Sequence, residues 1–103
     1  MVKIKITVVR KMKTEEIFGN NAPKTSGDFT SSCWRFEEGA AFISEDGKMP
    51  EGFCPWAFVD IHRCLTHLRF DGEFPWMKEK GIIYLSCTDG LRPVIFKLER
   101  FKG

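Results

Sequence analysis

No Cys-x-x-Cys pair, no glycine-rich phosphate loop and no His-Glu-x-x-His segment occurs in this chain of 103 residues. The first absence argues against zinc ribbons and dithiol oxidoreductases, and the other two leave phosphate-loop and zinc-hydrolase chemistry without their usual motifs. Long apolar runs are missing as well. Nothing approaches the roughly 18 apolar residues of a membrane span, and the alternating start Met1-Val2-Lys3-Ile4-Lys5-Ile6 is not the unbroken apolar stretch of a signal peptide. A cytoplasmic protein without membrane contact is the expectation. Charge of one sign is scarce too: sixteen basic residues stand against fourteen acidic ones, interspersed, for a net +2. No basic stripe stands out, so nucleic acid is not an expected partner.

What the chain does have is apolar bulk. Hydrophobic residues make up 43% of it, with ten Phe and three Trp, and each large aromatic side chain buries roughly 150–250 Å². A chain of this length closes a core without staples, so a single domain over 1–103 is expected. The four cysteines, Cys33, Cys54, Cys64 and Cys87, are therefore free to be something other than disulfides. In a reducing compartment such thiols are packed and inert, metal ligands, or reactive groups.

Periodicity places the elements. Val2, Ile4, Ile6 and Val8 alternate with Lys3, Lys5 and Thr7, which predicts a half-buried strand over 2–10. Thr14-Glu15-Glu16-Ile17-Phe18 fits one helical turn with Thr14 as its cap, before a loop rich in Ser, Thr and Gly. Ala40-Ala41-Phe42-Ile43-Ser44 is a short buried-strand run ended by Asp46-Gly47. Pro55 suits the first position of a helix reaching about Leu68, with Ala57, Phe58, Ile61, Leu65 and Leu68 as its core-facing stripe. Residues 82–87 and 94–100 read as two further strands joined through Asp89-Gly90, a hairpin signal. Pro93 lacks a donor, so the last strand starts after it or lies at an edge. The pattern predicts an α+β fold: a small, mostly antiparallel sheet of about four strands with one main helix.

The segments MPEGFCPWAFVDI at 49–61, FDGEFPWM at 70–77 and CTDGLRPVIFKLER at 87–100, with CWRFEEGAAF at 33–42 and the opening strand, together resemble an uncharacterised family of small single-domain prokaryotic proteins frequent in anaerobes. That family has a recurring cysteine pattern and a C-terminal CTDGLRPV-type motif. The resemblance covers most of the chain and implies that Cys33, Cys54, Cys87, Trp56, Asp60, Asp89, Arg92 and Pro93 are the positions of interest. The chain departs from the family's Cys-Pro at Cys33-Trp34, and carries Cys64 and His67 on a helix that usually lacks their equivalents. A mechanism shared by the family therefore does not run through Cys64 or His67.

Several constellations follow from residue chemistry. Cys54 stands at the start of the central helix, where the positive end of a helix favours a thiolate while apolar Phe53 and Trp56 oppose it. Cys33, Cys54 and Cys87 are a candidate three-thiolate metal site for zinc or iron, although their separations of 21 and 33 residues lack the close pair that structural zinc sites show. Asp60, Cys64 and His67 have the spacing of one helix face, yet a hydrogen-bonded or solvent-facing His67 is the simpler account, and His62 fares no better. Asp89 either stabilises the turn after Cys87 or, with Arg92 and Trp56, lines a ligand site in which Arg92 grips an anion. Trp34, Trp56 and Trp76, with the phenylalanines, either wall an apolar pocket or form a core or subunit interface, the last favouring a symmetric homo-oligomer.

Three functions stay open. One is a metal- or small-ligand-binding, redox-associated domain that uses the dispersed cysteines. Another is a cysteine-dependent enzyme with Cys54 or Cys87 as nucleophile, Asp60 or Asp89 assisting proton transfer, and Arg92 holding a small anionic substrate. The third is a structural or interaction protein with inert thiols.

Overall fold

The alternation of apolar and charged residues at the start of the chain builds β1 (Val2–Lys11), whose Ile4, Ile6 and Val8 point inward. In this computed structural model, which describes residues 2–102, β1 is followed by α1 (Thr14–Phe18), a 3₁₀ turn, β2 (Ala41–Glu45), α2 (Pro55–Arg69), β3 (Ile82–Ser86) and β4 (Val94–Lys102). The strands form one sheet in the order β2-β1-β4-β3, with every neighbouring pair antiparallel. The fold is α+β, a four-stranded antiparallel sheet with one main helix.

The order has a simple cause. β1 and β4 pair along nearly their whole length, from Val2 opposite Lys102 to Lys11 opposite Val94, with a bulge at Val9. β2 adds to one edge of that pair and β3 to the other. The chain between them, which contains α2, must cross from edge to edge, and it does so over the inner face of the sheet. Pro93 accordingly ends up just outside a central strand rather than at an edge: β4 begins one residue later, so no ladder donor is lost.

α2 delivers Ala57, Ile61, Leu65 and Leu68 to the core, and Phe58 lies half-buried at its border. These meet Ile4, Ile6 and Val8 of β1, Val94, Phe96 and Leu98 of β4, and Ile83 of β3. Each such buried aliphatic contributes about 1.5–3 kcal/mol of transfer free energy. Two phenylalanines from outside regular structure complete the layer. Phe53 lies with its ring 5.0 Å from Phe36, 5.1 Å from Phe42 and 5.5 Å from Phe96, and it immediately precedes the residue that opens α2.

Both helix ends are secured in ways the local pattern does not show. At α1 the cap is Lys13, not Thr14: the Glu16 carboxylate accepts the Lys13 N–H at 2.8 Å. Thr14 instead donates its backbone N–H and its hydroxyl to the Ser31 carbonyl, which binds the later loop to this turn. At the end of α2, Arg100 of β4 donates to the Leu68 and Gly72 carbonyls and pairs with Glu73. A cation placed on the last carbonyls of a helix meets both their unpaired acceptors and the negative end of the dipole. His67 donates Nε2–H to the Glu73 carbonyl over the same turn, and a Cβ on Gly72 would run into its imidazole. The backbone there closes so tightly that only glycine fits.

Phe53 is the centre of this packing, so Phe53→Ala should cost about 3–5 kcal/mol of folding stability, read as a lower urea midpoint with unchanged slope.

Candidate functional site

The start of α2, the loop before β2 and the loop between β3 and β4 meet around one cavity of about 550 Å³. Cys33, Cys54 and Cys87 all line it, although 21 and 33 residues separate them along the chain. Phe36, Ala57 and Val94 form the floor next to the core. Trp34 and Trp56 stand on the wall with 70% and 66% of their surface still exposed. The polar wall is Arg35, Asp89, Arg92 and Thr88. A volume of this size with apolar, aromatic sides and a few polar groups has the dimensions of a small-molecule site.

Local chemistry explains how each side chain gets there. Cys54 is the residue before the first turn of α2; its extended backbone (φ −74°, ψ 122°) and Pro55 at the first helical position start the helix, and its carbonyl accepts the Phe58 N–H at 2.9 Å. Its thiol makes no capping bond and is left to the cavity. Cys87 closes the β3–β4 loop: its N–H donates to the Val94 carbonyl at 3.1 Å, and the Val94 N–H donates to its Sγ at 3.3 Å. Burial pushes the Cys87 thiol above its ordinary value; the Asp89 and Val94 N–H groups pull the other way, and the charges of Asp89 and Asp60 push it further up. Cys87 is thus a neutral thiol at neutral pH.

The loop 87–93 is shaped by Asp89. Its Oδ1 accepts the Leu91 and Arg92 N–H groups at 3.0 and 3.3 Å, and its Oδ2 accepts Arg92 Nε at 3.0 Å. Burial opposes ionisation of Asp89, but the bonds from Leu91 and Arg92 outweigh it and hold the carboxyl below its usual range. Arg92 goes on to donate Nη1 to the Thr30 hydroxyl at 2.9 Å and lies 4.6 Å from the Phe29 ring, pinning the long Ser/Thr-rich loop across the site. Its Nη2 has no partner among the described residues. Arg35 donates to the Phe53 carbonyl at 3.3 Å.

Asp60 is not on the cavity wall. Its carboxylate accepts the Thr88 N–H at 2.7 Å and the Thr88 hydroxyl at 3.0 Å, and that hydroxyl in turn accepts the Trp56 indole N–H at 2.8 Å. Asp60 makes no hydrogen bond to a thiol among the described residues, although its charge reaches Cys87. Thr88, which the sequence presents only as part of a turn, is the joint between α2 and the β3–β4 loop. The helix-face set also separates: Cys64 and His67 border a different surface depression beside Phe74, His67 is bonded to Glu73, and His62 lies against the Phe58 ring at 5.4 Å. Trp76 belongs neither to the cavity nor to the core.

The three thiols share a wall without converging into a ligand set. Among the described residues, no group of three or more His, Cys, Asp or Glu side chains is gathered closely enough to hold a metal ion. Nor does a carboxylate or imidazole hydrogen-bond any of the four thiols among those residues; the polar contacts to Cys87 are backbone N–H groups, those of Val94 and Asp89. The nucleophile–base pair that activates catalytic cysteines is not assembled in this arrangement. No described helix is long and apolar enough to cross a membrane.

The burial of Cys87 has a kinetic signature. Its alkylation by iodoacetamide, followed by peptide mass mapping, should be slower at pH 7 than that of glutathione. Its rate should rise with a midpoint above the ordinary thiol value of about 8.5; a midpoint below that value would contradict the buried neutral thiol.

Compared with models of known protein families, with curated proteins and with solved structures, the chain matches none of them, and its function is read from the site alone.

Proposed function

We propose that this protein is a small-ligand-binding domain that holds one small, largely apolar molecule in the cavity between α2 and the β3–β4 loop. The observation that carries the proposal is the gathering of Cys33, Cys54 and Cys87 with Trp34 and Trp56 around one volume of about 550 Å³. The three thiols pack against the edge of the core and border the cavity on its other side. Two tryptophans left two-thirds exposed beside them present apolar surface that a ligand in the cavity would cover.

Of the positions weighed from the sequence, Cys33, Cys54, Cys87, Trp56, Asp89 and Arg92 line the cavity, while Asp60 braces it through Thr88 and Pro93 lies outside it. Apolar walls supply affinity by burying ligand surface, at about 25 cal/mol per Å². Arg92 orients the ligand's polar end. The thiols favour soft, polarisable contact in the middle. Binding ranks ahead of nucleophilic catalysis because the carboxylates nearest the thiols, Asp60 and Asp89, are engaged by Thr88 and by Arg92.

Amide NMR spectra recorded during titration with indole and with cyclohexanol test this. Saturable shifts confined to residues 33–36, 54–57 and 87–94 are expected with at least one of the two. Shifts that stay linear in probe concentration, or that spread over the outer face of the sheet, would refute a site here.

A further inference from the structure

Trp56 is held in a way that its own stability does not explain. An indole N–H on a ring 66% exposed finds water without cost, so it needs no protein partner. It nevertheless donates to the Thr88 hydroxyl at 2.8 Å, and the direction of the chain beyond is fixed. The Asp60 carboxylate accepts only, so the Thr88 hydroxyl proton goes to Asp60 at 3.0 Å and its lone pair is left for Trp56. The second Asp60 contact, to the Thr88 N–H at 2.7 Å, locks the hydroxyl's backbone in place. The carboxylate makes both of its bonds charge-assisted and strong. The result is a large flat ring on the cavity wall whose rotation is restricted before any ligand arrives.

A fixed, exposed aromatic face at a cavity is a stacking platform, and pre-orienting it removes part of the ordering cost of binding. Trp34 stands on the same wall. The charges lining that wall are the guanidinium groups of Arg35 and Arg92 and the carboxylate of Asp89, which Arg92 occupies through Nε; the Asp60 carboxylate lies behind Thr88, and neither carboxylate pairs with Arg35 among the described residues. Arg92 Nη2 is left without a partner among the described residues.

Resting on the ligand-binding function proposed above, we infer that the ligand is a flat aromatic anion stacked on Trp56 with its charged group toward Arg92, and that Asp60 and Thr88 are positioning residues for the Trp56 ring. Flatness is required by the stacking face, and the anion by Arg35 and the Nη2 edge of Arg92, which no carboxylate takes among the described residues. A saturated ring of equal size fills the volume but gains no stacking. A neutral aromatic gains the stacking but leaves Arg92 unanswered.

The test uses four probes on the whole chain: 2-naphthoate, naphthalene-2-methanol, decahydronaphthalene-2-carboxylate and indole, each titrated by tryptophan fluorescence and amide NMR. The expected order puts 2-naphthoate about tenfold tighter than either the neutral or the saturated analogue. Thr88→Val keeps the branched shape and the backbone bond to Asp60 but removes the hydroxyl. It should weaken 2-naphthoate about fivefold and leave decahydronaphthalene-2-carboxylate unchanged, since stacking alone depends on the ring's position. Thr88→Ser should restore both the affinity and the slow solvent exchange of the Trp56 indole N–H, a signal that a general loss of stability would not move selectively. Equal binding of 2-naphthoate and decahydronaphthalene-2-carboxylate would overturn the aromatic class, and equal binding of 2-naphthoate and naphthalene-2-methanol would overturn the anion. Full affinity in Thr88→Val would overturn the positioning role. If indole binds in the cavity and 2-naphthoate does not, this inference fails while the ligand-binding proposal stands; if no probe binds there, both fail.

Discussion

The structure depends on one contact layer: the apolar stripe of α2 laid across the inner face of the β1–β4 pair. Ala57, Ile61, Leu65 and Leu68 are in van der Waals register with Ile4, Ile6, Val8, Phe96 and Leu98, and a helix seated this way has little freedom to slide or roll. That seating sets where the first turn of α2 emerges, and therefore where Cys54 and Trp56 stand. Phe53, packed among Phe36, Phe42 and Phe96, anchors the same end. The far end is held separately by Arg100 and His67. The cavity lies at the anchored end, opposite the loop between β3 and β4, and its outline follows from the core beneath it.

Around the cavity, polar groups are spent on shape rather than on chemistry. Asp89 folds the loop by accepting two backbone N–H groups, Arg92 ties that loop to Thr30 and Phe29, and Asp60 ties it to the helix through Thr88. Each carboxylate already has hydrogen-bond donors, and Cys87 is kept neutral by burial. Such a site is stiff and mostly apolar, with its carboxylates committed and guanidinium edges of Arg35 and Arg92 left open among the described residues. Those properties suit holding a molecule in one orientation more than transferring protons to it.

The elements were legible along the chain because their signals are local. The period of two in Val2–Val8 and the stripe on α2 mark which face is buried whatever the rest of the fold does, and Pro55 marks the helix start. The capping of α1 was not legible. Thr14 has the right chemistry for a cap, but the Ser31 carbonyl, seventeen residues on, takes its hydroxyl, and Lys13 becomes the cap with Glu16 reaching back. The partner of Asp60 was hidden in the same way, since Thr88 lies 28 positions away. Arg100 and Thr88 gave no signal at all: a basic residue on a strand and a threonine in a turn are ordinary in any surface.

The amino-acid sequence alone determined the class of fold, the position of the main helix and the residues that face the core, because hydrophobic periodicity and proline geometry act over a few neighbouring residues. Which thiols share a cavity, which carboxylates are occupied and which tryptophan is held rigid were decided only by the tertiary structure. Those properties arise from contacts between segments tens of residues apart, and they come into being once the helix has settled on the sheet.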